Sequence, residues 1–212
     1  MDPGLDFTVF DISMPISEKM PVYKNRLEQR PRVAVRQSGE ITESCWSIHA
    51  HTGTHLDAPR HVFPAGAGVE DYSLKTLISP CLVVDLVHLE EKITVQDLRQ
   101  ITLSADLFVL FKTKNSFAPD RVQDFVYLEA AAAELLAAVP VKGVGIDALG
   151  IERNQHEHPS HKRLLEKGIP ILEGLVLKTI PAGSYWLIAA PLKLLGAEAA
   201  PCRAMLLKPL LP

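Results

Sequence analysis

His49-Ala50-His51-Thr52-Gly53-Thr54-His55-Leu56-Asp57-Ala58-Pro59-Arg60-His61 decides how this chain is read. Every odd-numbered position in the stretch is a histidine, a carboxylate, a glycine or a proline. The even positions from Trp46 to Ala58 are mostly apolar, with Thr52 and Thr54 between them. In an extended chain, side chains two apart project to one face. His49, His51, His55, Asp57 and His61 are therefore expected on one polar surface, with the opposite face packed inward. Gly53 and Pro59 bend such a strand, so the expectation is a strand that runs into a turn. Imidazoles converging with a carboxylate are ligands for a transition-metal ion, and a carboxylate can bridge two ions. His51 and His55 also have the spacing of a zinc-protease helix, but that motif needs Glu after the first His. Thr52 stands there, and Gly53 between two threonines is poor helix material. The plain alternative, a polar surface strand with accidental histidines, has to explain why the stretch holds four of the chain's 8 histidines.

Outward from this stretch, composition bounds the rest. A chain of 212 residues with 47% hydrophobic and 22% charged residues suits one globular domain, residues 1–212, able to bury a core. A net charge of -3 leaves no basic footprint for nucleic acid. No apolar run reaches the length of a membrane span. Met1-Asp2-Pro3-Gly4-Leu5-Asp6 lacks the basic start and apolar core of a signal peptide. Cys45, Cys81 and Cys202 are odd in number, far apart and form no CxxC pair. They read as buried packing thiols in a reducing compartment. The expectation is a cytoplasmic protein with neither nucleic-acid nor membrane partner.

Along the chain, Phe7 to Ile12 reads as a first strand. Ser13-Met14-Pro15-Ile16 and Met20-Pro21-Val22-Tyr23 follow, held extended by their prolines. Phe63 to Gly68 is a loop by composition. Leu82 to Val87 and Asp106 to Phe111 are short apolar strands. Thr94-Val95-Gln96-Asp97 forms a capping box that opens a short helix to about Gln100. Leu128 to Val139, rich in alanine and leucine, is a helix stopped before Pro140. Val141 to Asp147 is a strand ending on a carboxylate. Strands alternating with helices give an α/β (mixed) arrangement with parallel pairs in this half.

A second cluster, Glu152, His156, Glu157, His158 and His161, lies further on. Pro159 to Gly168 reads as a short helix with a glycine stop, which puts His161 in its first turn. Ile169 to Leu177 is then an apolar run interrupted by one acid, Glu173. A lone ionised Glu in a buried strand costs several kcal/mol unless it is paired or coordinated. A metal supplies that partner; an exposed strand edge is the alternative.

The string His-x-Gly-Thr-His-x-Asp-Ala-Pro-x-His, unbroken from His51 to His61, resembles the signature of the metal-dependent cyclase hydrolases. Bacterial kynurenine formamidases (arylformamidases) are the best-understood members of that family, and isatin hydrolases are relatives. The likeness extends to Met20-Pro21-Val22-Tyr23, to His161 and Glu173 twelve residues apart, and to Trp186–Lys193 and Ala200–Ala204 as the last two strands. It is weakest from about residue 64 to 140. The resemblance implies a swivelling β/β/α fold and a homodimer or homotetramer. It also implies two divalent ions per subunit, zinc before manganese. His51, His55 and Asp57 would hold the first ion, and Asp57, His161 and Glu173 the second, with Glu173 touching both. On chemistry alone His156 and His158 compete with His161; the spacing to Glu173 favours His161.

The same resemblance implies hydrolysis of a small amide, most like N-formyl-L-kynurenine to L-kynurenine and formate in tryptophan catabolism, with a dimetal-activated hydroxide as nucleophile. His61 would be the proton donor and acceptor, because an aryl amide leaves poorly as an anilide anion; a third ligand or a donor to Asp57 is its other reading. Tyr23 reads as pocket wall or core-edge aromatic, Thr54 as orienting a ligand, and His49 as supporting or structural. Many relatives carry Pro-Gly-Asp where this chain has Lys24-Asn25-Arg26, which bears on substrate: a cationic loop suits an acidic one. The alternatives are a cyclic amide or lactone hydrolase of the isatin-hydrolase type and a non-catalytic metal- or ligand-binding protein.

Overall fold

The computed structural model describes residues 7–120 and 122–209. Met1 to Asp6, read above as lacking a signal peptide, lie outside the described residues. The strands are β1 (Phe7–Asp11), β2 (Arg32–Ser38), β3 (Ile41–Ser47), β4 (His55–Asp57), β5 (Ile78–Asp85), β6 (Lys92–Ile93), β7 (Phe108–Lys112), β8 (Tyr127–Leu128), β9 (Gly143–Ile146), β10 (Ile171–Glu173), β11 (Gly183–Pro191) and β12 (Ala199–Pro209). The α-helices are α1 (Leu74–Leu77), α2 (Val95–Leu98), α3 (Ala130–Ala138) and α4 (Pro159–Leu165).

One sheet runs β1-β12-β11-β5-β7-β9-β10-β4, and β4 also pairs with β12. The three-residue β4 thereby closes the sheet into a ring, with β1 left outside on β12. Pairing is parallel from β5 through β7 and β9 to β10, in the half where strands and helices alternate. β7 is buried along its whole length, as a strand covered on both faces should be. Its alternating side chains feed two cores. Phe108 and Leu110 join Leu56, Leu172 and Leu206 in one cluster that fills the ring. Val109 and Phe111 join Leu136, Ile146, Leu164 and Ile171 in the other, between the ring and the helices α3 and α4. Gly143 and Gly145 make room for the first set, since a Cβ there would strike Phe108 at 2.1 Å and Leu110 at 2.6 Å. With Leu56 and Leu172 directed inward, His55, Asp57 and Glu173 face the outer layer, toward α4.

Several expectations hold: the mixed α/β fold, the parallel half, the first strand, the Phe63–Gly68 loop and the capping box, in which Asp97 accepts the Thr94 N–H at 2.7 Å. Four need correction. The strand expected to lead into the histidines with one face packed inward stops at Ser47, and Trp46 is 46% exposed. β2 and β3 form a two-stranded arm with no layer against either face. The period-two reading therefore holds only from His55 to Asp57, because Gly53 at φ +64 turns the chain. Cys45 lies on that arm and is exposed, whereas Cys81 is buried and Cys202 partly so. The alanine-rich helix begins at Ala130, since Leu128 is held in β8 against Ile93. The apolar run from Ile169 breaks at Gly174, whose φ of +69 lets its Cα approach the Gly53 carbonyl where a Cβ would sit at 2.3 Å. Among the described residues no helix is long and apolar enough to cross a membrane.

Candidate metal centre

Three chain segments bring ligands together. β4 and β10 pair antiparallel with Glu173 opposite His55, so one face of two short strands carries His55, Asp57 and Glu173. α4 starts at Pro159, a residue suited to the first helical position, and presents His161 from its first turn. The loop before Gly53 supplies His51, and the 3-10 turn Pro59–His61 supplies His61.

The two carboxylates each split their oxygens between imidazoles. Asp57 Oδ1 lies 3.0 Å from His51 Nδ1 and 3.5 Å from His55 Nε2, and its Oδ2 lies 3.6 Å from His161 Nε2. Glu173 Oε2 is 3.3 Å from His55 Nε2, and Oε1 is 3.4 Å from His161 Nε2. Asp57 is fully buried, yet among the described residues both its carboxylate oxygens lack a hydrogen-bond partner, as does the buried His55 Nε2. Orphaned buried polar atoms are rare and costly. Here they are all metal-ligating atoms facing one another, so the arrangement fits a divalent cation. His55 Nδ1 sits 2.9 Å from the Gly53 carbonyl, and donation to it leaves Nε2 free to coordinate.

The buried imidazoles and carboxylates shift one another's protonation. Burial opposes charge on His55, but Glu173 and Asp57 outweigh it and lift its pKa to about 9. His161 is likewise raised, against burial, by Asp57, Glu152 and Glu173. Glu173 falls to about 2: burial and Asp57 push it up, and His161 and His55 more than reverse that. Asp57 is lowered in the same way, mainly by His51 and His161 working against desolvation. Uptake of a metal must therefore displace protons from these rings.

His61 stands apart from this set. Its ring centroid lies 4.4 Å from that of His51 and 5.3 Å from that of His161, over the mouth of the centre. Desolvation first, and the neighbouring imidazoles next, hold its pKa below the ordinary value, although Asp57 pulls the other way. One of its ring nitrogens lies within 4.8 Å of ligand atoms of His51 and Asp57, a spacing that suits a ligand as well as a proton carrier.

The remaining expected residues sort as follows. Tyr23 is half-buried and lines the cavity above the centre. Its ring is 6.3 Å from Phe125, and burial raises its pKa, assisted by Glu173. Thr54 does not bond a ligand side chain: its hydroxyl donates to the Gly174 carbonyl at 2.6 Å and accepts the Met14 N–H at 2.7 Å. It ties the loops on either side of the centre, a correction forced by its direction into the strand pair. His49 is exposed on the cavity rim, not behind a ligand. His156 is exposed and pairs with Glu157 at 3.9 Å, away from the centre's ligands.

Sequence reasoning gave Glu152 no role, yet it is the most heavily bonded acid here. Its Oε1 is 2.5 Å from His161 Nδ1 and 3.2 Å from His158 Nδ1. Its Oε2 accepts from the Ser160 N–H and the Gln155 amide, each at 3.0 Å. That grip fixes the ring of His161 with Nε2 toward the centre, the arrangement expected of a ligating histidine. The adjacent Ile151 N–H donates to Glu173 Oε1 at 2.5 Å. Position in sequence, nine residues before His161, is the only hint Glu152 offered.

Residues 10–153 match the family described as Cyclase. The chain is 35% identical over 204 residues to the kynurenine formamidase of Salinibacter ruber (strain DSM 13855 / M31), covering 93% of this chain and 96% of that one. Among solved structures it is similar to a predicted metal-dependent hydrolase from Bacillus stearothermophilus, at 45% identity and a TM-score of 0.89, over 95% of this chain and 98% of the other. Isatin hydrolase A from Labrenzia aggregata shares the fold, with a TM-score of 0.84 at 22% identity over 96% of this chain and 94% of that one.

Proposed function

The chain belongs to the cyclase family, and from that membership we propose that it is a metal-dependent amidohydrolase cleaving N-formyl-L-kynurenine to L-kynurenine and formate. One observation carries the reading: Asp57 and Glu173 each share their two oxygens between the His55 side and the His161 side. This division supports two divalent ions, zinc or else manganese, with His51, His55 and Asp57 around one and Asp57, His161 and Glu173 around the other. When bound, such ions polarise an amide carbonyl and acidify water.

The chain's own residues supply the rest. Val22, Tyr23, Val62 and Leu149 wall the cavity over the centre and suit an aromatic ring. His61, neutral at pH 7 because its pKa is depressed, takes a proton from the attacking water at a ring nitrogen. As the water oxygen bonds to the formyl carbon and the C–N bond breaks, that proton passes to the departing nitrogen. The balance is amide plus water to formate, amine and one proton released to solvent. Such assistance is worth about 10²–10⁴-fold in rate.

Residues 1–212 act as one domain in this reading, supported by a sheet that draws β1 and β12 from opposite ends of the chain. A homodimer or homotetramer is supported by an open sheet face on which Val9, Leu207, Trp186 and Pro80 stand in one register row. Val9 is 57% and Trp186 46% exposed, and such a row is expected to find cover. The unpaired cysteines support a cytoplasmic setting.

The test is metal analysis of the purified protein together with formate release from N-formyl-L-kynurenine, with isatin as the comparison substrate. We expect two ions per chain and formate equal to amine formed. Preference for isatin would move the substrate to the cyclic-amide class. Turnover of neither by fully metallated protein would overturn the enzyme reading in favour of a metal-binding protein.

A further inference from the structure

Lys24, Asn25 and Arg26 form the loop that departs from the family pattern, and the structure separates its two bases. Lys24 and Asn25 sit at φ 53 and 55, two successive non-glycine residues in the left-handed region. Such backbone is uncommon outside glycine, and strain of this kind collects where a loop serves a site. Backbone bonds from Asn25 N–H to the Val22 carbonyl and from Arg26 N–H to the Tyr23 carbonyl close the double turn. Its result is that neighbours two apart diverge. Lys24 stacks its Nζ 5.2 Å over the outer side of the Tyr23 ring and lines a separate cavity with Arg153. Arg26 instead lines the cavity of about 320 Å³ that opens on His61, His161 and Glu173.

Among the described residues Arg26 has no carboxylate within ion-pair distance, whereas Arg153, which lines the neighbouring cavity with Lys24, is engaged by Asp124 and Glu91. Arg26 is thus a permanently charged fork at the mouth of the cavity with no protein anion to satisfy it. The floor beyond it is acidic, with Asp57, Glu152 and Glu173 buried there and Glu198 3.5 Å from His51. With the proposed ions bound that charge is offset, and at the entrance Arg26 supplies a fixed cation able to take an anionic group.

We propose that Arg26 binds a carboxylate carried by the substrate at the end remote from the scissile amide, so that the site selects anionic aryl amides over neutral ones. The proposal rests on the amidohydrolase reading and adds the substrate class to it. A guanidinium holds a carboxylate through two parallel N–H···O bonds, which lysine cannot reproduce. Between the fork and the metal ligands, the walls of Tyr23, Val62 and Leu149 hold the ring that joins the two ends.

The test compares 4-formamidobenzoate, whose carboxylate lies across the ring from the amide, with formanilide, its neutral counterpart, on metal-loaded wild type, Arg26→Gln, Arg26→Lys and Lys24→Gln. The ratio of kcat/KM for the two substrates should fall tenfold or more in Arg26→Gln, through KM for the anion. It should fall partway in Arg26→Lys and keep its wild-type value in Lys24→Gln. An unchanged ratio in Arg26→Gln, or an equal fall in Lys24→Gln, overturns the proposal. Calorimetric binding of 4-aminobenzoate and aniline to the same metal-loaded proteins separates this from failure of the enzyme reading, because it needs no turnover. Weakening of 4-aminobenzoate alone by Arg26→Gln supports the anion site even in a protein that cleaves neither amide. Equal 4-aminobenzoate affinity in wild type and Arg26→Gln refutes it.

Discussion

Two buried carboxylates end adjacent strands and are treated in opposite ways. Asp147 follows β9 and Glu173 closes β10, its neighbour in the sheet. Asp147 accepts from the backbone and hydroxyl of Thr113 at 2.8 and 2.7 Å and from those of Ser116 at 3.1 and 2.6 Å. All its partners are neutral dipoles, and burial carries its pKa up to about 6 despite them. Glu173 and Asp57 face imidazoles, and their pKa values go down instead. An acid saturated by local donors organises a loop, here residues 113–116. An acid set among ligand atoms is built for a cation: the Asp57 carboxylate accepts no hydrogen bond among the described residues, and that of Glu173 takes one backbone N–H from Ile151 and otherwise faces imidazoles. Burial alone distinguishes nothing; the partners do.

The largest test of this contrast is Asp57→Ala, which removes the carboxylate shared by both halves of the centre. Bound metal measured by elemental analysis should drop to near zero, and formate release should fall on the order of 10⁴-fold or more. Retention of two ions would show that Asp57 is not shared. His61→Ala should keep the metal and lose about 10²–10⁴-fold in rate; loss of an ion instead would move His61 into the ligand set.

Proton linkage offers a third, smaller effect. His55 in metal-free protein has its pKa raised from 6.5 to about 9. A raised imidazole contributes stability fully below about 6.5, lost as pH climbs through about 9. Chelated protein should therefore weaken between those values in denaturant titrations, and added zinc at pH 7 should release protons to the buffer. Zinc binding with no buffer-dependent heat would break the comparison, since it would mean the rings were already neutral. The smallest effect is at Asp147. Its raised pKa favours the folded state while the carboxyl is protonated, so that contribution is present below about 4 and fades as pH rises through about 6. Asp147→Asn lacks this dependence, and its deficit of about 1–3 kcal/mol against wild type should shrink from pH 4 to pH 7 while its metal content stays at the wild-type level. A loss of metal in Asp147→Asn would erase the distinction between the two acids.

Much of the centre was legible because its chemistry is packed into short spans. From His51 to His61 the residue types themselves announce ligands, and a lone Glu173 in an apolar run demands a partner. Pro159 ahead of His161 and glycine at 168, where φ is +69, mark α4 by local stereochemistry. Thr94 and Asp97 mark the start of α2 for the same reason. The exposed arm carrying Trp46 and Cys45 was not legible, because apolar alternation looks alike on a covered sheet and on an uncovered hairpin. Nor was Glu152, whose partners His161 and Ser160 become neighbours only once α4 folds back over the loop.

By itself, then, the sequence determined which residue types could bind a cation, where the chain must turn, and which short segments must be helix or strand. Those follow from side-chain chemistry and from φ/ψ limits that act within a few residues. Only the tertiary structure decided that β4 would close the ring between β10 and β12 and that Glu173 would face His55 across it. These depend on pairings between segments more than a hundred residues apart. No local preference encodes them; they form because closing the ring buries Leu56, Leu172 and Leu206 together, and that burial outweighs the entropy of bringing distant strands into register.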